Sequence, residues 1–193
     1  MMRSPAPFTF LLCVAMLATG CAQASSQSNA ESQPTTATSE QLAAQFGIRA
    51  ALNTFDEAPA VGERVDVPEE QWESLLTDEQ FRVLRRDGTE YAHSHALNDN
   101  HFAGTYRCAG CAAPLYSADN KFDSGTGWPS FYQPIEDGRV GEDADGRRTE
   151  IHCASCGGHL GHVFSDGPEP TGLRHCVNGT SLVFEPAVTE ASE

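Results

Sequence analysis

The chain is short of positive charge. Its 193 residues carry 12 Lys and Arg against 27 Asp and Glu, a formal net charge of −15. A surface of that sign repels phosphate backbones and anionic bilayers, so neither nucleic acid nor a bare lipid surface is an expected partner. Charge says nothing of the fold. Long apolar runs are missing as well: the one at residues 8–18 is too short to span a bilayer as a permanent helix. No internal repeat appears, and beyond Thr105 no helical period does, which excludes solenoids and bundles for that half. Cysteine is not in surplus either. Seven are encoded, and their grouping leaves one without an obvious structural duty.

The N-terminal region is read first. Residues 1–20 have the form of an export signal, with Arg3, the apolar run and small residues after it. Two cleavage readings stay open. Leu17-Ala18-Thr19-Gly20-Cys21 resembles a bacterial lipobox, which would make Cys21 a lipidated N-terminus and anchor the protein to a membrane, the outer membrane being favoured because Ala22 rather than aspartate follows. Ordinary cleavage after Ala24 would give a soluble periplasmic or secreted protein. Residues 21–64 read as a tether: 22–39 are rich in Ser, Thr, Gln and Ala and hold too few large apolar groups to offset ordering entropy. Residues 40–52 can form a short helix bearing Leu42, Phe46 and Ile48, and 53–62 look like further linker. A folded domain is expected over 65–187, with 188–193 a disordered tail. A hydrophobic content of 39% supports one modest core, and a monomer is expected.

Within that domain, residues 67–76 and 77–86 predict two short helices. Thr77 and Gln80 form a capping box and Gly88 is the expected terminator. Trp72, Leu75, Phe81 and Leu84 would face the core. Residues 88–104 read as a loop with His93, His95 and His101. No acidic ligand pattern accompanies these histidines, so they read as surface or substrate-loop groups rather than a metal site. From Thr105 on, short apolar runs alternate with turn residues. Strands are predicted at 106–108, 115–116, 151–153, 162–164, 173–177 and 181–184, with 135–148 an exposed hairpin or loop. The expectation is a mainly β fold around an antiparallel sheet core.

Chemistry concentrates in the cysteines. Cys108-Ala-Gly-Cys111 and Cys153-Ala-Ser-Cys156 are two C-x-x-C knuckles, a pattern that points to tetrahedral zinc. Gly110, Gly157 and Gly158 suit such turns. Four thiolates close the coordination shell, so one structural zinc per chain is expected. Cys13 leaves with the signal and Cys21 is lipidated or cleaved away, so Cys176 remains. If its segment is a strand, Arg174, Cys176 and Asn178 share a face. Arg174 would then favour the thiolate and Asn178 can donate to an oxyanion. His159 and His162 are candidate acids, but residues three apart on a regular strand face opposite ways. Gly158 and Gly161 would have to bend the chain to bring both imidazoles to Cys176.

These motifs lie in a particular order: Cys108 and Cys111; Phe122-Asp123-Ser124-Gly125-Thr126-Gly127-Trp128-Pro129-Ser130-Phe131; Cys153 and Cys156; His159-Leu160-Gly161-His162-Val163-Phe164; and Gly172-Leu173-Arg174-His175-Cys176-Val177-Asn178. In that order they resemble the B-type methionine sulfoxide reductases, the peptide-methionine (R)-S-oxide reductases, over roughly residues 69–186. The resemblance implies a compact domain of two small antiparallel sheets with short N-terminal helices and a four-cysteine zinc. It implies that Cys176 is the nucleophile, that Trp128 holds the substrate's methyl group, and that His159 and His162 position water and supply acid. Asn178, Arg174, Asp166 and Phe164 would line or support the pocket. The substrates would be oxidised proteins. Thr126 stands where many members carry a resolving cysteine, so a sulfenic acid on Cys176 would be reduced by an external partner, thioredoxin-like or a small thiol. His175 replaces a usual aromatic, and Gly179-Thr180 replaces a usual Ser-Ala.

Overall fold

The structure, a computed structural model, describes residues 58–187. The export signal, the cleavage site, most of the tether, the helix expected at 40–52 and the tail at 188–193 lie outside the described residues.

Among the described residues, two α-helices come first. Helix α1, Glu69–Leu75, begins after Pro68 with Glu69 and Glu70 in its first turn, where carboxylates favour the positive end of the helix dipole. Helix α2, Asp78–Arg85, opens with the expected capping box: Gln80 N–H donates to Thr77 Oγ1 at 3.2 Å and Thr77 N–H donates to Gln80 Oε1 at 3.1 Å. Trp72 and Leu84 are buried as expected, and Phe81 packs against the core. Leu75 does not face inward; it is 37% exposed, and Leu76 and Val83 are buried in its place. The reason is the end of α1: Leu76 leaves the helix in an extended conformation and turns inward. After α2 the left-handed residue is Asp87, φ 51°, one position before the expected Gly88. No helix among the described residues is long and apolar enough to cross a membrane.

Nine strands follow: β1 Gly104–Cys108, β2 Pro114–Ser117, β3 Lys121–Phe122, β4 Ser130–Phe131, β5 Val140–Asp145, β6 Arg148–Cys153, β7 His159–Phe164, β8 Arg174–Val177 and β9 Leu182–Pro186. They form a three-stranded sheet, β2-β1-β9, and a six-stranded sheet, β3-β4-β8-β7-β6-β5. All pairings are antiparallel. The mainly β, two-sheet expectation is met. The two-residue strands β3 and β4 escape the sequence pattern because they are too short to alternate and sit among Gly, Ser and Pro. The 135–148 region supplies β5, which pairs with β6 around an Asp145–Arg148 turn.

The core lies between the sheets. Phe131 of β4 stacks on Tyr116 of β2 at 4.3 Å and meets Tyr106 of β1 edge-on at 4.9 Å. Phe184 of β9 meets Tyr106 at 4.9 Å, and Ile151, Leu160 and Val177 fill the six-stranded side. Ring pairs of this geometry contribute about 0.5–1.5 kcal/mol each beyond burial.

Residues 53–62 read as linker, yet from Pro59 the chain is tied down. Arg139 Nη1 donates to Pro59 O at 2.7 Å, Arg64 Nη1 to Ala154 O at 3.3 Å, and Val65 N–H to Ser155 O at 2.9 Å. Composition cannot show this, because the segment contributes backbone acceptors and donors rather than apolar bulk.

Candidate active site and metal centre

The first cysteine knuckle joins β1 to β2 and the second joins β6 to β7, one in each sheet. Their turns repeat one another. Ala112 N–H donates to Cys108 O at 2.9 Å, and Gly157 N–H donates to Cys153 O at 2.8 Å. The residue after the second cysteine is left-handed in each, Ala112 at φ 60° and Gly157 at φ 70°, so in the first knuckle an alanine rather than Gly110 takes that strain. All four side chains are buried and their sulfurs lie within 4.8 Å of one another. Cys108 Sγ is 3.7 Å from Cys156 Sγ, and Cys111 Sγ is 3.6 Å from Cys153 Sγ. A tetrahedron with metal–sulfur bonds of about 2.3 Å places sulfurs about 3.8 Å apart, so the donor set and its spacing fit one closed four-thiolate ion. Helix α2 braces the second knuckle: Arg85 lies over the Trp72 ring at 5.2 Å and donates to Cys156 O at 3.0 Å.

Cys176 is not among the four clustered thiols. The register of the six-stranded sheet explains its surroundings. Asp143 lies opposite Glu150, Glu150 opposite His162, His162 opposite Cys176, and Cys176 opposite Ser130. Directly opposed residues share a face, so a continuous polar row crosses the sheet and Cys176 sits within it. Phe164 opposes Arg174 one step along the same face. On the other face His175 points into the core, with Nδ1 at 3.3 Å from Tyr116 Oη. Burial pushes its pKa down to about 4. His175 therefore replaces the usual aromatic as a core group, not as part of the pocket floor.

The histidine spacing is resolved by a β-bulge. Ile151 pairs with Gly161 but His152 pairs with His159, so Leu160 is an extra residue in β7. It reverses the alternation and brings His159 and His162 to one face, their rings 5.6 Å apart. Gly161 is needed at this point. Its φ is 151°, and a Cβ there would lie 2.1 Å from Cys176 O.

A small cleft of about 150 Å³ opens on this face, lined by Thr89, Trp128, Arg148, Gly161, His162, Phe164, Cys176 and Asn178. It is smaller than the pockets of about 300–1,000 Å³ that enclose drug-sized ligands, and suits one short side chain. Trp128 is oriented by its indole N–H, which donates to Glu90 O at 3.3 Å. His162 Nε2 is 2.9 Å from Asp145 Oδ2, and the same carboxylate accepts from Arg148. Those two bonds hold the Asp145 pKa below the usual carboxylate range.

Not every expected group lines the cleft. His159 is not among the lining residues; it is 3% exposed, with Nδ1 2.6 Å from Glu150 Oε1 and a buried Nε2 that has no protein partner. Asn178 is largely committed: its Oδ1 accepts from Glu90 N–H at 3.1 Å and its Nδ2 donates to Leu160 O at 3.0 Å, which leaves one amide proton. Arg174 makes a two-pronged pair with Asp166, at 2.8 and 2.9 Å, and its guanidinium lies 4.4 Å over the Phe164 ring. Asp166 is held below its usual pKa by Arg174.

The expected effect of Arg174 on the nucleophile is only partly realised. Burial raises the Cys176 pKa, while Arg174 and the Thr126 hydroxyl pull it down; burial wins. Arg174 is already shared with Asp166, which limits its pull on the sulfur. Thr126 continues into a hydroxyl chain, with Ser124 Oγ at 2.8 Å from Thr126 Oγ1 and 2.7 Å from Ser130 Oγ. Asp145, Arg148, Glu150 and Glu90 all went unnoticed in the sequence. They sit outside every motif, and only strand register and loop closure bring them here.

A family model described as the SelR domain matches residues 76–186. A peptide methionine sulfoxide reductase MsrB from Leptospira interrogans serogroup Icterohaemorrhagiae serovar Lai is 55% identical over 125 residues, which is 63% of this chain and 95% of that protein. The protein of the same description from Agrobacterium fabrum is 50% identical over 127 residues, 64% of this chain and 94% of its own. The chloroplastic peptide methionine sulfoxide reductase B2 of Arabidopsis thaliana is 53% identical over 128 residues, 64% and 63% respectively.

Proposed function

The chain belongs to the B-type methionine sulfoxide reductases, enzymes that return peptide-methionine (R)-S-oxide to methionine, and from that premise we propose how its own residues perform the reduction. The observation that carries the reading is the shared cleft: Cys176, Trp128 and His162 line one small space while Cys176 stays clear of the four-thiol cluster.

The sulfoxide methyl group rests on Trp128 and the sulfur faces Cys176. A sulfoxide sulfur is electrophilic and its oxygen is basic, so attack by sulfur must be matched by protonation of oxygen. His162, oriented by Asp145, takes the Cys176 thiol proton and relays it to that oxygen. Nδ1 of His159 donates to Glu150, so its unpartnered Nε2 can accept from a water beside it, and the remaining Asn178 amide proton can reach the sulfoxide oxygen. A bond forms between Cys176 sulfur and the substrate, the sulfoxide oxygen passes to Cys176, and methionine leaves as a thioether. Cys176 is left as sulfenic acid, the first rung of cysteine oxidation. Among the described residues no thiol remains outside the metal cluster to resolve it. An external thiol therefore condenses with it, releasing water, and a second thiol frees the mixed disulfide.

Zinc is the ion that the four thiolates suit. Held by Cys108, Cys111, Cys153 and Cys156, it would cross-link the two sheets and take no part in the reaction. The signal and lipobox pattern at residues 1–21 support an exported enzyme anchored by lipid at Cys21, acting on oxidised proteins outside the cytoplasm.

The test is turnover of separated methionine sulfoxide epimers with dithiothreitol. Only the R form should react, and Cys176→Ser should abolish the reaction while keeping the bound metal. Turnover of the S form, or of neither, overturns the reading. Mass analysis after one turnover without reductant should find Cys176 as sulfenic acid; an intramolecular disulfide at Cys176 would rule out the external thiol.

A further inference from the structure

Glu90 lies in the loop between α2 and β1, far in sequence from every motif, yet it is 3% exposed. Each of its polar groups meets a different part of the site. Its Oε1 accepts from Gly179 N–H at 2.6 Å. Its Oε2 accepts from Thr180 N–H at 2.8 Å and from Thr180 Oγ1–H at 2.6 Å. Its backbone N–H donates to Asn178 Oδ1 at 3.1 Å, and its carbonyl accepts the Trp128 indole N–H at 3.3 Å. One residue thus grips both the ring placed against the substrate and the segment that follows the nucleophile. A carboxylate removed from water is costly unless donors surround it, so these bonds and the fold around them depend on each other.

Two features make the grip tight in this chain. Gly179 lets the segment approach: a Cβ there would lie 2.4 Å from the His95 ring. Thr180, standing where a family alanine is usual, adds a hydroxyl donor that alanine lacks. The loop is also pinned further on, where His93 N–H donates to Gly127 O at 2.7 Å, next to Trp128.

We propose that Glu90 is a positioning residue that fixes the Trp128 indole relative to Cys176, with the Thr180 hydroxyl as an added tie. This rests on the reading above, in which Trp128 receives the methyl group and Cys176 attacks sulfur. Sub-ångström placement matters there, because a misplacement of about 1 Å costs on the order of a hundredfold in rate. Loosening the tie should therefore injure recognition of the methyl group without touching the thiol.

The test compares Glu90→Gln, Glu90→Asp and Thr180→Ala with the wild-type chain, each loaded with zinc. Glu90→Gln turns an acceptor into an amide whose NH2 faces an N–H donor. Its kcat/KM for the R-sulfoxide should fall about tenfold to a hundredfold, and its preference for methionine sulfoxide over ethionine sulfoxide should shrink. Alkylation of Cys176 by iodoacetamide and bound zinc should stay at wild-type levels. Glu90→Asp keeps the acceptor and should recover part of the preference. Thr180→Ala loses one donor of three, and should show a smaller loss of about twofold to fivefold in the same direction. An unchanged methyl-over-ethyl preference overturns the proposal, as does a loss of activity that merely follows loss of zinc or fold. If Glu90→Gln does not fold, Thr180→Ala decides by the same ratio. An inactive wild-type chain would instead sink the functional reading itself.

Discussion

Cys176 has few local advantages as a thiolate. Burial raises its pKa, the Thr126 hydroxyl and Arg174 oppose that, and Arg174 is divided between the sulfur and Asp166. The sign is therefore fixed. A raised pKa means less thiolate at neutral pH than in a free cysteine of pKa about 8.5. Alkylation of Cys176 by iodoacetamide should rise with pH and reach half its maximum above that value. Thr126→Val removes a donor to the sulfur and should shift the midpoint further up; a shift downward, or a wild-type midpoint below the free-cysteine value, would contradict the assignment. In the proposed reduction, the basic sulfoxide oxygen would give the thiol proton somewhere to go.

The β5–β6 hairpin is the element that sequence understated. Read as an exposed hairpin or loop among charged residues, it is a hairpin that curls so that Asp145 meets His162 Nε2 at 2.9 Å and Arg148 lines the cleft. A glycine- and charge-rich turn looks solvated in any sequence; only its pairing with β6, and that of β6 with β7, shows where its tip lands. Asp145→Asn keeps the size of the side chain but removes the charge beside the imidazole. It should lower kcat by about tenfold to a hundredfold with little change in KM, measured on the R-sulfoxide, because it weakens without removing a general acid whose full contribution is about 10²–10⁴-fold. An unchanged kcat would remove His162 from proton delivery. The strand that carries Cys176 and the His162–Phe164 end of β7 were legible because apolar alternation and turn residues frame them; the His159–Gly161 end was not, since the bulge breaks the alternation. Strands β3 and β4 were not, since two residues cannot show a period.

At the scale of the molecule, the four-thiol cluster takes one knuckle from each sheet, so an ion held there would couple metal binding to the docking of the sheets. Cys108→Ser should lower both metal content and melting temperature. Activity should fall with the fraction unfolded, and the methyl-over-ethyl preference of the surviving enzyme should not change. A full metal load with an unaltered melting temperature would refute the structural role. Both knuckles could be read directly from spacing, and Cys176 as the cysteine they leave over, because metal ligands and nucleophiles need particular atoms. Glu90 could not, because it acts through backbone groups of residues nearly ninety positions away. The surplus residue at Leu160 carries a last consequence. Adding one residue to β6 opposite it, remote from any reacting atom, would restore regular pairing and make His159 and Leu160 trade sides, the imidazole going to the dry interior and the leucine to water. In this enzyme the reactive surface depends on whether a count is odd or even as much as on which side chains are present.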